Sequence, residues 1–137
     1  MIFREATERD LLYVAQRSIS RGPKEMLVKT DFVYALEDHG EVLMVGGLKL
    51  LLPTTGWVWM VWTPKALEHR MRVYRTAKEW LELLMQTHRL KRVMAAVECD
   101  FFAAIRTVEH LGFKQESVMQ KFFGNEPGYL YCKLAED

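Results

Sequence analysis

The chain has 137 residues, half of them apolar, which suffices for one domain with a sizeable core and no metal or disulfide staple. Lys and Arg number 19 against 18 Asp and Glu, a formal net charge of +1, so bulk charge supplies no pull toward nucleic acid or an anionic membrane. Met1-Ile2-Phe3-Arg4-Glu5 is not a basic region ahead of an apolar core, and no stretch reaches the roughly 18 uncharged apolar residues that span a bilayer, so neither secretion nor membrane insertion is expected.

Residues 2–6 form a short predicted strand. Thr7 then caps a helix through Leu11, Leu12, Val14 and Ala15, with Glu8 and Asp10 near its positive end. Arg21-Gly22-Pro23 breaks the pattern, and a second short helix is expected over residues 24–29. Two runs rich in Val, Leu and Met, residues 32–36 and 41–52, flank the polar Glu37-Asp38-His39-Gly40 and predict an antiparallel hairpin. Pro53-Thr54-Thr55-Gly56 makes the next turn. Trp57-Val58-Trp59-Met60-Val61-Trp62 is apolar at every position, the pattern of a central strand covered on both faces.

Thr63-Pro64 stops that strand. From about residue 67 to 88, Val73, Ala77, Trp80, Leu81, Leu84 and Met85 recur at helical spacing, opposed by Arg72, Arg75, Lys78, Glu79 and Glu82. Residues 92–98 predict a strand. Asp100 is placed to cap a helix through Ala104, Ile105 and Val108, which Gly112 ends in the left-handed conformation. Residues 114–121 and 129–134 are the last strands, around Gly124-Asn125-Glu126-Pro127-Gly128.

No repeat, low-complexity tract or linker interrupts the chain, so a single domain over residues 1–137 is expected. The class is α+β: a mixed, mostly antiparallel central sheet with helices on both faces. The long helix makes a crossover connection, so strands 57–62 and 92–98 are expected to be parallel neighbours that diverge at their carboxyl ends. Trp59, Leu81, Leu84 and Ile105 are assigned to the core.

This order of elements resembles the GNAT superfamily of N-acetyltransferases. Three stretches carry the resemblance: Ile2-Phe3-Arg4-Glu5-Ala6-Thr7-Glu8-Arg9-Asp10, Leu36-Glu37-Asp38-His39-Gly40-Glu41-Val42 with Gly46-Gly47, and Ala104-Ile105 with His110-Leu111-Gly112-Phe113. The resemblance implies acetyl-CoA as acyl donor, held in a notch between strands 57–62 and 92–98 and attacked directly by an amine of a small molecule or peptide. Val61, Trp62 and Thr63 would then offer backbone contacts to the pantetheine arm.

The chain departs from the family at two places. The family cradles pyrophosphate on the amides of an R/Q-x-x-G-x-G/A turn before the long helix. Aligned from Pro64, those glycine positions fall near Arg70 and Arg72, and Lys65-Ala66-Leu67-Glu68-His69 contains no glycine. Arg70, Arg72 and Arg75 are candidate phosphate clamps, since guanidinium forks match phosphate oxygens; the competing reading is a solvated helix face. The family's thiolate-protonating tyrosine stands four residues before the Gly-Phe pair, where this chain has Val108. Cys99 is the best-placed substitute, and Glu98 is the candidate base, since Asp100 serves first as a cap.

The remaining chemistry-bearing residues point to structure. Trp57, Trp59 and Trp62 are core rather than a base-stacking platform. His39, His69, His88 and His110 are too scattered for a metal or triad, and Cys99 and Cys132 are expected as reduced thiols in a cytoplasmic protein. A narrower resemblance, resting on residues 70–85, is to the GNAT-like small internal virion protein of some short-tailed phages, which would place the chain in host cytoplasm or virion. Two functions therefore stand side by side: an acetyl-CoA-dependent N-acetyltransferase with a degenerate cofactor turn, or an inactive GNAT-like scaffold that binds a protein partner.

Overall fold

The computed structural model describes residues 1–17 and 31–136. The helix expected over residues 24–29 and the Arg21-Gly22-Pro23 break lie outside them. In chain order the elements are β1 (Ile2–Glu5), α1 (Glu8–Arg17), β2 (Phe32–Asp38), β3 (Glu41–Leu52), β4 (Thr55–Trp62), α2 (Pro64–Glu68), α3 (Arg70–Thr87), β5 (Arg92–Glu98), α4 (Phe102–His110), β6 (Lys114–Phe123) and β7 (Glu126–Leu134). The seven strands form one sheet in the order β1-β2-β3-β4-β5-β7-β6. β4 and β5 are parallel, from Thr55↔Arg92 to Trp57↔Met94, with α2 and α3 as the crossover that a parallel pair requires. The pairs β1–β2, β2–β3, β5–β7 and β6–β7 are antiparallel, so the mixed, mostly antiparallel sheet is as expected. Two compact units divide the chain: Met1–Lys49 with Val58–Thr76, and Leu50–Trp57 with Ala77–Asp137.

In the first unit, Thr7 starts α1 as the sequence predicts, through a reciprocal box. The Thr7 amide donates to Asp10 Oδ2 at 2.7 Å, and the Asp10 amide donates to Thr7 Oγ1 at 3.3 Å. Arg4 on β1 forks onto both Asp10 carboxylate oxygens at 2.7 and 3.1 Å and reaches Glu37 on β2 at 3.2 Å. Beyond this polar cluster, Val14 of α1 packs with Ala35, Val42, Val45 and Val61.

The β2–β3 turn is tighter than expected. His39 and Gly40 alone make it, both left-handed at φ 51° and 79°, and the strands pair out to Asp38↔Glu41. The fully covered strand is β3, buried without interruption over residues 42–48; on β4 only Gly56, Val61 and Trp62 are buried. Trp57 and Trp59 are half-buried rather than core, as so large a side chain often is. The single long helix expected from about residue 67 is two. Pro64 opens α2 as a pre-set first residue, and His69, at φ −120°, interrupts the helical run before α3 begins.

In the second unit, β5 spans the predicted residues and alternates half-buried with buried, Val93, Ala95 and Val97 pointing inward. Asp100 does not cap α4. The Phe101 amide closes a turn onto Glu98 O at 3.1 Å, and Phe101 O accepts from Ile105 at 3.0 Å, so Phe101 takes the N-cap position without a side-chain cap bond. The far end follows expectation: Gly112 sits at φ 95° and its amide donates to Glu109 O, while the Phe113 amide donates to Val108 O, both at 3.0 Å. Lys133 Nζ takes another carbonyl of that end, Leu111 O, at 2.7 Å. The β6–β7 turn contracts to Gly124-Asn125. Of the four residues assigned to the core, Leu81 is buried, whereas Trp59, Leu84 and Ile105 are half-buried.

Candidate functional site

The first unit builds a rigid end to β4. The β2–β3 register steps from Leu36↔Met44 to Glu37↔Val42, which leaves Leu43 as the extra residue of a bulge. Its carbonyl accepts from both Thr63 N and Thr63 Oγ1 at 2.9 Å. Thr63 is thereby pinned, and its side chain makes no cap bond to α2. Val61, Trp62 and Thr63, the residues proposed to line the acyl donor, are all buried. The Trp62 ring lies 5.3 Å from that of Tyr74 on α3. Trp59 rests over Gly47, where a Cβ would stand 2.4 Å from its Nε1. The Nε1 atoms of both Trp59 and Trp62 are buried with no hydrogen-bond partner among the described residues.

The head of α3 belongs to the same unit. No acidic residue occupies its first turn. Arg70, Arg72 and Arg75 are exposed, and none makes an ion pair or hydrogen bond among the described residues. They do not form one clamp. At about 100° per residue, Arg72 and Arg75 lie about 60° apart on the outer face, whereas Arg70 is about 140–160° from them. Arg70 is on the side of Val73, Tyr74 and Ala77, which are buried. It is exposed because it is the first residue of the helix. This region offers exposed guanidinium charge.

The candidate proton-handling residues lie in the second unit. Glu98 ends β5, and Cys99 follows it, half-buried. Val108, at the family's tyrosine position, is buried in α4. Two tyrosines that the sequence reading passed over stand nearby on β7, opposite Ala95 and Val97 of β5. Tyr131 donates to Glu109 Oε1 at 3.3 Å, and its ring meets that of Tyr129 edge-on. Burial, then the charge of Glu109, raises the Tyr131 pKa, with smaller contributions from Tyr129 and Cys99. The i, i+2 spacing of Tyr129 and Tyr131 was the available signal, since it puts both on one strand face. Burial raises the Cys132 thiol as well. Among the described residues no three His, Cys, Asp or Glu side chains gather as a metal site, and no helix is long and apolar enough to cross a membrane.

No protein-family model matches the sequence, and no curated protein matches it significantly. Solved structures do. The chain is similar to Ard1 from Thermoplasma volcanium at 17% identity, over 99% of this chain and 98% of that one, with a TM-score of 0.79. It is similar to the ribosomal-protein-S18-alanine N-acetyltransferase from Escherichia coli at 15% identity, over 99% and 96%, with a TM-score of 0.76. A GNAT-family acetyltransferase from Bacillus anthracis follows at 17% identity, over 96% and 93%, with a TM-score of 0.73. At such identities the likeness establishes the fold: this chain has the GNAT fold.

Proposed function

We propose that the chain is an N-acetyltransferase that draws its acyl group from acetyl-CoA and transfers it to an amine of a small molecule or peptide. The observation that carries this reading is the head of α3: a helix start with no acid in its first turn and three exposed arginines without ion-pair partners among the described residues, on a GNAT fold. A positive helix end of this kind favours an anion such as pyrophosphate. In the proposal Val61, Trp62 and Thr63 meet the pantetheine arm through their backbone, and the charges of Arg70, Arg72 and Arg75 attract phosphate together without forming one clamp. The amine attacks the thioester carbonyl and the carbon–sulfur bond breaks; Glu98 is the proposed acceptor of the amine proton and Cys99 the proposed donor to the departing thiolate.

Two effects set the affinity. Exposed charge pairs contribute at most about 1 kcal/mol each, whereas each missing oriented amide gives up a charge-assisted bond worth about 1.5–3 kcal/mol. The second effect dominates, so acetyl-CoA should bind with a dissociation constant on the order of 100 μM or above, about 5.5 kcal/mol or less. Calorimetric titration with acetyl-CoA and with desulfo-CoA tests this. Heat that diminishes as salt rises is expected; no heat with either, at millimolar ligand, would leave a scaffold without a cofactor.

A further inference from the structure

Trp62 is 6% exposed, and its buried indole N–H finds no acceptor among the described residues. A buried tryptophan ordinarily satisfies that donor, and one left unpaired is costly. Packing does not explain it: the contact with Tyr74, at 5.3 Å between ring centres, would suit phenylalanine equally well. The position is also constrained. Thr63, the next residue, is pinned by two hydrogen bonds to Leu43 O, and Tyr74 lies about one turn into α3 from Arg70. The donor is thus held on a fixed backbone, against the first turns of the helix whose head carries Arg70, Arg72 and Arg75.

The geometry points to the Trp62 indole N–H as a ligand donor that takes a carbonyl oxygen of the acyl-pantetheine arm. This rests on the proposed use of acetyl-CoA. Trp59 carries the other unpartnered indole N–H, but three residues away on a strand it faces the opposite side of the sheet, over Gly47 and toward the Val14 cluster. It serves as the control.

The test is titration of the unaltered protein, Trp62→Phe and Trp59→Phe with acetyl-CoA, CoA and adenosine 3′,5′-bisphosphate, which lacks the arm. Trp62→Phe should bind acetyl-CoA about threefold to tenfold more weakly, with bisphosphate affinity unchanged and the melting temperature of the free protein unchanged or higher. A loss shared by CoA assigns the oxygen to a pantetheine amide; a loss confined to acetyl-CoA assigns it to the thioester. Equal affinities of Trp62→Phe and the unaltered protein would overturn the inference alone, as would a matching loss in Trp59→Phe or with the bisphosphate. An unaltered protein that binds none of the three ligands would overturn the acetyl-CoA reading with it. If Trp62→Phe does not fold, 3-benzothienylalanine at the same position keeps the ring shape and removes only the N–H.

Discussion

Two helix starts in the same unit are treated in opposite ways. The start of α1 is satisfied by the chain itself: Glu8 and Asp10 stand in its first turn, Thr7 and Asp10 exchange hydrogen bonds, and Arg4 answers the Asp10 charge. The start of α3 has no acid, and its nearby arginines have no ion-pair partners among the described residues. Both ends carry the same partial positive charge of an aligned helix. An end closed by its own side chains is a structural joint, and an end left positive is open to an external anion.

The largest expected effect is at the closed end. Asp10→Ala leaves the Thr7 amide and hydroxyl without their acceptor and Arg4 with Glu37 alone, and should cost about 2 kcal/mol in urea unfolding. A loss below about 1 kcal/mol would mean that the two ends are alike after all. The acid limb of stability follows from the same carboxylate. The hydrogen bond from Arg4, followed by those from Thr7, holds the Asp10 pKa at about 2 against an ordinary 3.8, although burial opposes this. Because the folded value is the lower one, the contribution is complete above about pH 4 and is lost as pH falls toward 2, about 2 kcal/mol in all. Unfolding at pH 5 and pH 2 should show this drop in the unaltered protein and a smaller one in Asp10→Asn; parallel profiles would contradict it.

Smaller effects sharpen the contrast. Thr7→Ala should cost about 1 kcal/mol, the ordinary price of a lost N-cap. Arg72→Glu should do something no substitution at α1 does: raise stability by up to about 0.5 kcal/mol, by adding an acid to a helix start, while weakening acetyl-CoA. Denaturation and titration on the same sample would show the opposite signs; unchanged affinity would remove Arg72 from the anion site.

Where local pattern decided the structure, it was legible. The strand at residues 92–98, the apolar face of α3 through Val73, Ala77, Leu81 and Met85, the Thr7 cap and the left-handed Gly112 all lie within windows that periodicity and capping rules cover. The misplaced cap shows the limit of such rules, because Asp100 and Phe101 compete for adjacent positions and only the turn onto Glu98 decides between them. The bulge at Leu43 arises from pairing between strands, and Arg4 meets Glu37 across 33 residues. Neither leaves a local trace. The unpaired Trp62 N–H was hidden for another reason: an apolar run explains an indole ring and says nothing about its one polar atom.

The claim that α3 carries a weak anion site held by charge is tested most directly by titrating acetyl-CoA into the unaltered protein and into the Arg70→Ala, Arg72→Ala, Arg75→Ala triple variant. Raising salt from about 0.01 to about 1 M shortens the screening length from about 30 to about 3 Å. The account expects a dissociation constant on the order of 100 μM or above at low salt, with binding lost in the variant and lost again at high salt. A low-micromolar constant that neither salt nor the three substitutions weaken would contradict it.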